Sequence, residues 1–412
     1  MTFVTGVVLF AVGLAVSIAA HEFGHLLTAK AFGMNARRYF LGFGRTLWSF
    51  RKGETEYGVK AIPLGGFVEI AGMSHAEELP ADDEPRAFWR FATWKRVVVM
   101  SAGSVTHIGL ALVILYGVAI TAGLPNTDPT IAPVIGRVAD CIQTVDPNGT
   151  VHQCTATDPA SPARLAGLAA GDRIVAVGGE PTATWDRVVL AIRTHPGSAL
   201  RVDYVRDGVT RGTVVNIGRA NRPALPGEPH DASGMASVGV LATEAKLPPA
   251  TIGYGPIAGV GATGGFTLDL MGRTVDALGQ FPAKVPALFE ALSGKPRDPN
   301  SPISVVGASK LGGQALEAGS VLTFFLLLAS INIFIGIFNM LPLLPLDGGH
   351  IAVLLFERAR SGVARLLGRQ DPGRIDPATL APVMVAFVVL VGGISVLTIL
   401  ADLVNPIANP FQ

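Results

Sequence analysis

Residues 3–25, FVTGVVLFAVGLAVSIAAHEFGH, run eighteen positions without a charge and then close on His21-Glu22-Phe23-Gly24-His25. Eighteen residues at 1.5 Å each cover about 27 Å, close to the hydrocarbon thickness of a bilayer, so the run reads as a membrane-spanning helix. In a helix, positions i and i+4 share a face, so His21 and His25 can hold one metal ion while Glu22 reaches the attacking water. Ionisable groups inside a membrane are costly unless they ligate, pair or line a wet cavity, which makes the pentapeptide a candidate functional site. The plain alternative, a helix reaching the interface with a polar end, loses ground once a third ligand can be named.

Working outward, the 412-residue chain is 49% hydrophobic and 15% charged, well below the roughly one-quarter charge of soluble domains. It reads as an α-helical polytopic membrane protein with a soluble part. Four stretches are long enough to cross a bilayer: 3–20, 97–122, 321–341 and 380–401. The first has no positive leader, so it reads as a retained anchor and not a signal peptide. Residues 1–20 and 403–412 carry no Lys or Arg, whereas 30–96 carry eleven and 345–379 carry five. Positive loops stay inside, so both termini are expected outside a multi-pass cell-membrane protein, with 123–320 extracytoplasmic. His21 then lies near the cytoplasmic face, and Asp347, just beyond the third span, lies at comparable depth. A net charge of +1 gives no case for a nucleic-acid partner.

Between the spans, residues 54–72 (ETEYGVKAIPLGGFVEIAG) alternate around Pro63 and Gly65-Gly66 as a short hairpin would, although a plain cytoplasmic loop fits too. A hairpin edge beside an intramembrane site could add an extended substrate as a strand. Residues 75–86, acidic and Pro-rich, read as a flexible loop. From about 125 to 243 short β-rich runs alternate with turns, including 166–177, a helical stretch at 185–193 and strands at 200–204 and 213–217 joined through Asp207-Gly208. This pattern resembles a bacterial PDZ domain; a small β-rich domain of another kind is the alternative. Cys141 and Cys154, the two cysteines of the chain, are a disulfide or two thiols, and spacing leaves both open. Residues 264–292 have helical apolar spacing, as one or two helices lying on the outer leaflet or packed on the spans.

The missing ligand comes from residues 339–350, NMLPLLPLDGGH. Two prolines end the third helix and Asp347 follows, so its carboxylate can project into a cavity. Two His and one Asp leave the fourth zinc position open, as a catalytic site requires. His350 is the rival ligand, and a supporting role suits it better.

HEFGH in the first span and Pro-x-x-Pro-Leu-Asp-Gly-Gly after the third resemble the site-2 protease family of intramembrane zinc metalloproteases. A PDZ insert between the second and third of four spans resembles the bacterial branch that cleaves anti-sigma factors, and YFLGFGRTLWSFRKGETEYGVKAIPLGGFVEIAGM is similar to its actinobacterial regulated intramembrane proteases. The resemblance covers essentially the whole chain. It implies Zn2+ on His21, His25 and Asp347, Glu22 as general base, Asn339 holding the substrate strand or oxyanion, and a membrane-associated hairpin in which Gly65, Gly66, Phe67 and Val68 receive unwound substrate. The implied partners are the lipid bilayer, transmembrane substrates such as anti-sigma factors, and peptide C-termini at the PDZ domain. One departure stands out: a Gly-x-x-x-Asn-like motif in the second span is replaced by Gly103 to His107, and His107 reads as a pore-lining or packing residue ahead of a catalytic one.

The expected organisation is 1–32 first span with the motif, 33–94 cytoplasmic-side loop and hairpin, 95–123 second span, 124–245 PDZ domain, 246–319 amphipathic linker, 320–350 third span with LDGG, 351–378 cytoplasmic loop and 379–404 fourth span. Soluble zincins fit worse: position 31, where a metzincin needs His, is Ala31, and Glu54, Glu56 and Glu69 lie in the loop or hairpin. A membrane-embedded PDZ adaptor with a structural zinc site is the rival of another class, against which Glu22 argues. A metal transporter is weaker, since too few polar residues mark a path across the spans. The PDZ domain would act as a size filter or as a binder of newly cut C-termini.

Overall fold

The apolar run and the motif form one uninterrupted helix, α1 (Phe3–Ala31), whose start is capped by the Thr2 side chain accepting from the Thr5 N–H. The computed structural model describes residues 2–73, 79–128, 130–147, 149–295, 297, 301–375, 377–407 and 409. It divides into two compact units, one of Met1–Leu124 with Gly253–Gln412 and one of Pro125–Ile252.

After α1 come two long strands, β1 (Ala36–Lys52) and β2 (Thr55–Ile70). The turn between them falls at Gly53-Glu54, and not at Gly65-Gly66 as the alternation suggested. Residues 38–41 of β1 have partners on both sides, 56–59 and 66–69. Pro63 has no N–H to give a ladder, and Gly65 at φ +95° lets the chain double back, so the end of β2 returns along the far side of β1. Residues 66–70 therefore form an outer edge. Arg86 clamps the turn by a two-pronged bond to Glu54 and holds that carboxyl below its usual range. Phe43, Leu47, Trp48 and Phe50 along β1 are exposed, an apolar surface that suits lipid better than water. Of the loop expected at 75–86, residues 75–78 lie outside the described residues, and the rest forms turns, with a short 3-10 helix at Glu84–Arg86.

The second long apolar helix, α2 (Thr93–Thr121), crosses α1 at its motif. A Cβ on Gly24 would stand 2.4 Å from Thr106 Oγ1 and 2.8 Å from the Ala102 carbonyl, so Gly24 is the residue that lets the two backbones touch.

In the second unit, a four-stranded antiparallel sheet has the spatial order Glu180–Pro181, Arg173–Val177, Ala199–Arg206, Val209–Asn216. A short helix, α3 (Pro162–Leu165), and α4 (Trp185–Arg193) accompany it, the latter capped by Thr184. Val188 and Ile192 of α4 pack with Ile135, Ile174, Val202 and Val215 in one core. Two further ribbons, Gly218–Pro223 with Met235–Val240 and Ile135–Val138 with Thr243–Ala245, complete the unit. Cys141 and Cys154 are joined in a disulfide.

Back in the first unit, α5 (Pro256–Leu292) is a single helix of 37 residues that tolerates Pro282 and Pro286, longer than the helices expected at 264–292. α6 (Val305–Glu317), α7 (Val321–Asn339), α8 (Asp347–Leu366) and α9 (Pro377–Val404) follow. The stretch read as a loop at 351–378 is mostly α8, which buries Ile351, Leu354 and Ala364. Among the described residues, four helices are long and apolar enough to cross a membrane: Phe3–Ala31, Thr93–Thr121, Val321–Asn339 and Thr379–Val404. Val4, Val8, Val12 and Val16, one turn apart, lie exposed along one side of α1, a face that water would not tolerate and lipid would.

Candidate metal centre and active site

Three side chains from the two chain segments of the first unit converge. His21 Nε2 lies 3.2 Å from His25 Nε2, and each is 3.4 Å from Asp347 Oδ2. All three residues are largely shielded, and Asp347 Oδ2 is buried with no hydrogen-bond partner among the described residues. The Nδ1 of His25 meets the Val99 carbonyl at 2.7 Å; a carbonyl only accepts, so the proton is on Nδ1 and Nε2 presents a bare lone pair. Such a knot of acceptors asks for a cation. In a tetrahedral zinc site with bonds of about 2.0–2.1 Å, neighbouring ligand atoms stand about 3.3 Å apart, which is the spacing found here.

Two sets of glycines produce the convergence. A Cβ on Gly103 of α2 would sit 2.4 Å from both His21 Cε1 and His25 Nε2, so α2 can back the two rings only with hydrogen at that position. Asp347 opens α8, and the following Gly348 packs so tightly on the Met340-Leu341 backbone, 2.2 Å from a Cβ to the Met340 oxygen, that any side chain would push the helix start and its carboxylate away. Asp347 thus projects from the first position of a helix, where the sequence suggested an irregular segment.

Glu22 faces the hairpin. Its carboxylate receives the backbone N–H of Val68, and its Cγ lies 3.0 Å from where a Cβ on Gly66 would be. Gly65 is the bend residue, and Phe67 stacks on Phe40. Phe67 and Val68 also line a cavity of about 450 Å³ with Trp89, Met100, Leu344, His350 and Met384. His350 stands on this wall, outside the three-residue cluster. Asn339 ends α7, half-buried, and is not among the residues lining the cavity. His107 is buried against His21, ring centroids 5.0 Å apart, and its Nδ1 lies 2.8 Å from Asn332 Oδ1. Gly103, the Val99 carbonyl and Asn332 escaped the sequence reading. Gly103 lies within the Gly-x-x-x motif that had been singled out, and a carbonyl leaves no sequence signal.

Residues 9–367 match the profile of Peptidase family M50. The chain belongs to that family. It is 44% identical over 99% of both chains to "Zinc metalloprotease Rip1" of Mycobacterium bovis (strain BCG / Pasteur 1173P2). It is 41% identical, again over 99% of both, to the protein of that name in Mycolicibacterium smegmatis. The "Regulator of sigma-E protease RseP" of Escherichia coli (strain K12) is 26% identical over 88% of this chain and 92% of its own length. The M50 chain described here is a metalloendopeptidase and, with its four apolar helices, a membrane protein.

Proposed function

We propose that this M50 peptidase hydrolyses a peptide bond in or near the transmembrane segment of membrane proteins, with zinc held by His21, His25 and Asp347 and with Glu22 as general base. The observation that carries the reading is the set of three acceptor atoms at 3.2–3.4 Å beside a carboxylate that faces a free strand edge. The ion, when bound, supplies Lewis acidity toward the scissile carbonyl and the attacking water. Glu22 takes a proton from that water and returns it to the leaving nitrogen as the C–N bond breaks, so one water is consumed and a carboxyl and an amine result. Residues 65–68 receive the substrate as an added strand along the outer edge of the hairpin. Phe67, Met100 and Leu344 hold apolar substrate and exclude water from the bond, and Asn339 steadies the strand or the oxyanion.

Two further readings accompany this one. The Lys and Arg asymmetry and the disulfide in the second unit support an arrangement with both termini and residues 125–252 outside the cell. The second unit is read as a PDZ domain. It has a groove of about 290 Å³ beside α4, floored by Val188, Ile192 and Leu241, with Val145 and Val151 from the disulfide loop on one wall. Arg193 in that groove is bonded to Glu228, whose carboxyl it holds down to about 2. Such a groove suits peptide C-termini exposed by an earlier cut. With the name of the Escherichia coli relative, it supports pre-cleaved anti-sigma factors as substrates.

Replacing Glu22 with Gln tests the reading. The purified variant is expected to retain one zinc and bind substrate while cleavage falls by a factor on the order of 100 or more. A Glu22→Gln protein that cleaves normally, or wild-type protein that holds no zinc, removes the proposed mechanism and favours an adaptor.

A further inference from the structure

We infer that His107 is a positioning residue: it accepts the Nδ1–H of His21, in a chain His21–His107–Asn332 that does for one ligand what the Val99 carbonyl does for the other. This rests on the reading of His21 and His25 as metal ligands.

The two histidines are unequal in their surroundings. His25 has its Nδ1 proton accepted by Val99 O at 2.7 Å, whereas His21 Nδ1 is buried with no partner among the described residues. A neutral imidazole that gives Nε2 to a metal carries its proton on Nδ1, and a buried N–H without an acceptor is costly and leaves the ring free to turn. An acceptor is needed beside His21, and the side chain standing there is His107, one turn beyond Gly103 on α2 and 1% exposed. Its ring centroid is 5.0 Å from that of His21 with the planes inclined by 44°. Two imidazoles joined by one N–H···N bond of about 2.9 Å have centroids about 5 Å apart, so a small rotation of either ring closes the contact.

The direction of the chain follows from its far end. Asn332 is fully buried, and its Nδ2 donates to the Leu328 carbonyl at 2.8 Å. This fixes Asn332 Oδ1 as the atom facing His107 Nδ1, again at 2.8 Å. An amide oxygen only accepts, so the His107 proton sits on Nδ1 and its Nε2 is left as a lone pair. Asn332 thus selects the one His107 tautomer that can accept from His21. A purely space-filling His107 would need neither this partner nor this tautomer.

The test uses the full chain purified in detergent, with zinc affinity from chelator competition, the visible spectrum of the Co2+-loaded protein, and thermal unfolding as a control. His107→Phe keeps an aromatic ring but removes the acceptor, and is expected to weaken zinc binding about 10- to 100-fold and to alter the Co2+ spectrum. His107→Gln can accept from His21 and donate to Asn332, so it is expected to recover to within about threefold of wild type. Asn332→Leu leaves the His107 ring in place and frees its tautomer, with an expected loss of about three- to tenfold; it carries the test if His107→Phe does not fold. Wild-type affinity and spectrum in His107→Phe or Asn332→Leu overturn the inference, as does a His107→Gln protein no better than His107→Phe. Wild-type protein that binds no zinc would instead remove the reading of the ligands on which the inference rests.

Discussion

Placing a methyl group at Gly103 sets helix propensity against site geometry. The added Cβ would lie 2.4 Å from His21 Cε1 and from His25 Nε2, against about 3.4 Å for ordinary contact. Either the rings or α2 must therefore yield by 3.4 − 2.4, about 1.0 Å. Catalytic groups need to be held to about 0.5 Å, and a 1 Å misplacement costs about 100-fold in rate. Alanine in a helix interior is meanwhile about 0.5–1 kcal/mol better than glycine. Among the described residues nothing lies within 4 Å of a would-be Cβ on Gly109 of the same helix, so Gly109→Ala receives the propensity gain without the obstruction. Cleavage of a transmembrane substrate and zinc content, measured on both variants beside thermal unfolding, should separate the two effects. Gly103→Ala is expected to lose about 100-fold in cleavage and to bind zinc more weakly, and Gly109→Ala to remain within about twofold in cleavage. A Gly103→Ala enzyme within about threefold of wild type, with full zinc, would refute the idea that α2 positions the histidines by contact.

Val68→Pro removes the outer-edge N–H that meets the Glu22 carboxylate; loss of that hydrogen bond, about 0.5–1.5 kcal/mol, should slow cleavage up to about tenfold at constant zinc content, and unchanged turnover in a folded variant would end the strand-addition reading. For orientation, Lys52→Cys is expected to be shielded from an impermeant thiol reagent added outside intact cells and Val209→Cys to react, the native cysteines being tied up in the disulfide; the reverse pattern inverts the topology. The Arg297–Asp402 pair, 2.6 Å apart with both side chains nearly fully buried and Asp402 also bonded to Ser304, ties the start of α6 to the end of α9. Asp402→Leu alone should lower stability by about 3–5 kcal/mol and the double variant with Arg297→Met by much less, read from unfolding in detergent; equal losses would show that the charge left behind is not the cause.

The parts of this fold that depend on local pattern were legible, and the parts that depend on crossings were not. Residues 185–193 read as a helix and form α4 with the same limits, because Thr184 caps its start and its apolar spacing is unambiguous. Apolar length alone gave the four long helices to within a turn or so at most ends, although α1 runs eleven residues past its uncharged stretch because nothing in His21 to Ala31 breaks a helix. Hairpin punctuation misled: Gly65-Gly66 after Pro63 looks like a turn, yet with β1 already in place it serves as a bend that carries β2 across to the other side. α8 hid behind its opening glycines and its arginines, which read as loop charge. His21, Glu22, His25 and Asp347 were named from the sequence because their chemistry is visible in residue type. Gly103 was quoted only as the start of a motif, and Val99 and Asn332 not at all, since a missing side chain, a carbonyl and an ordinary amide acquire meaning only where α1, α2 and α7 meet.

That division bears on substrate selection in the proposed reaction. The outer edge at 66–70, Glu22 and the cavity wall of Phe67 and Leu344 belong to one surface, and an edge strand accepts only extended backbone. A transmembrane helix arrives with its carbonyls bonded four residues ahead, and in lipid each bond broken without replacement is expensive. The hairpin edge can replace some of those bonds as the helix opens, so strand addition and unwinding are one step. A proline or glycine near the scissile bond has already weakened the helix and lowers the cost of that step, while the free edge is unchanged. On this account residues that break helices should matter more to turnover than the side chains flanking the cut, and a substrate helix strengthened by Gly→Leu should bind the membrane enzyme yet resist cleavage.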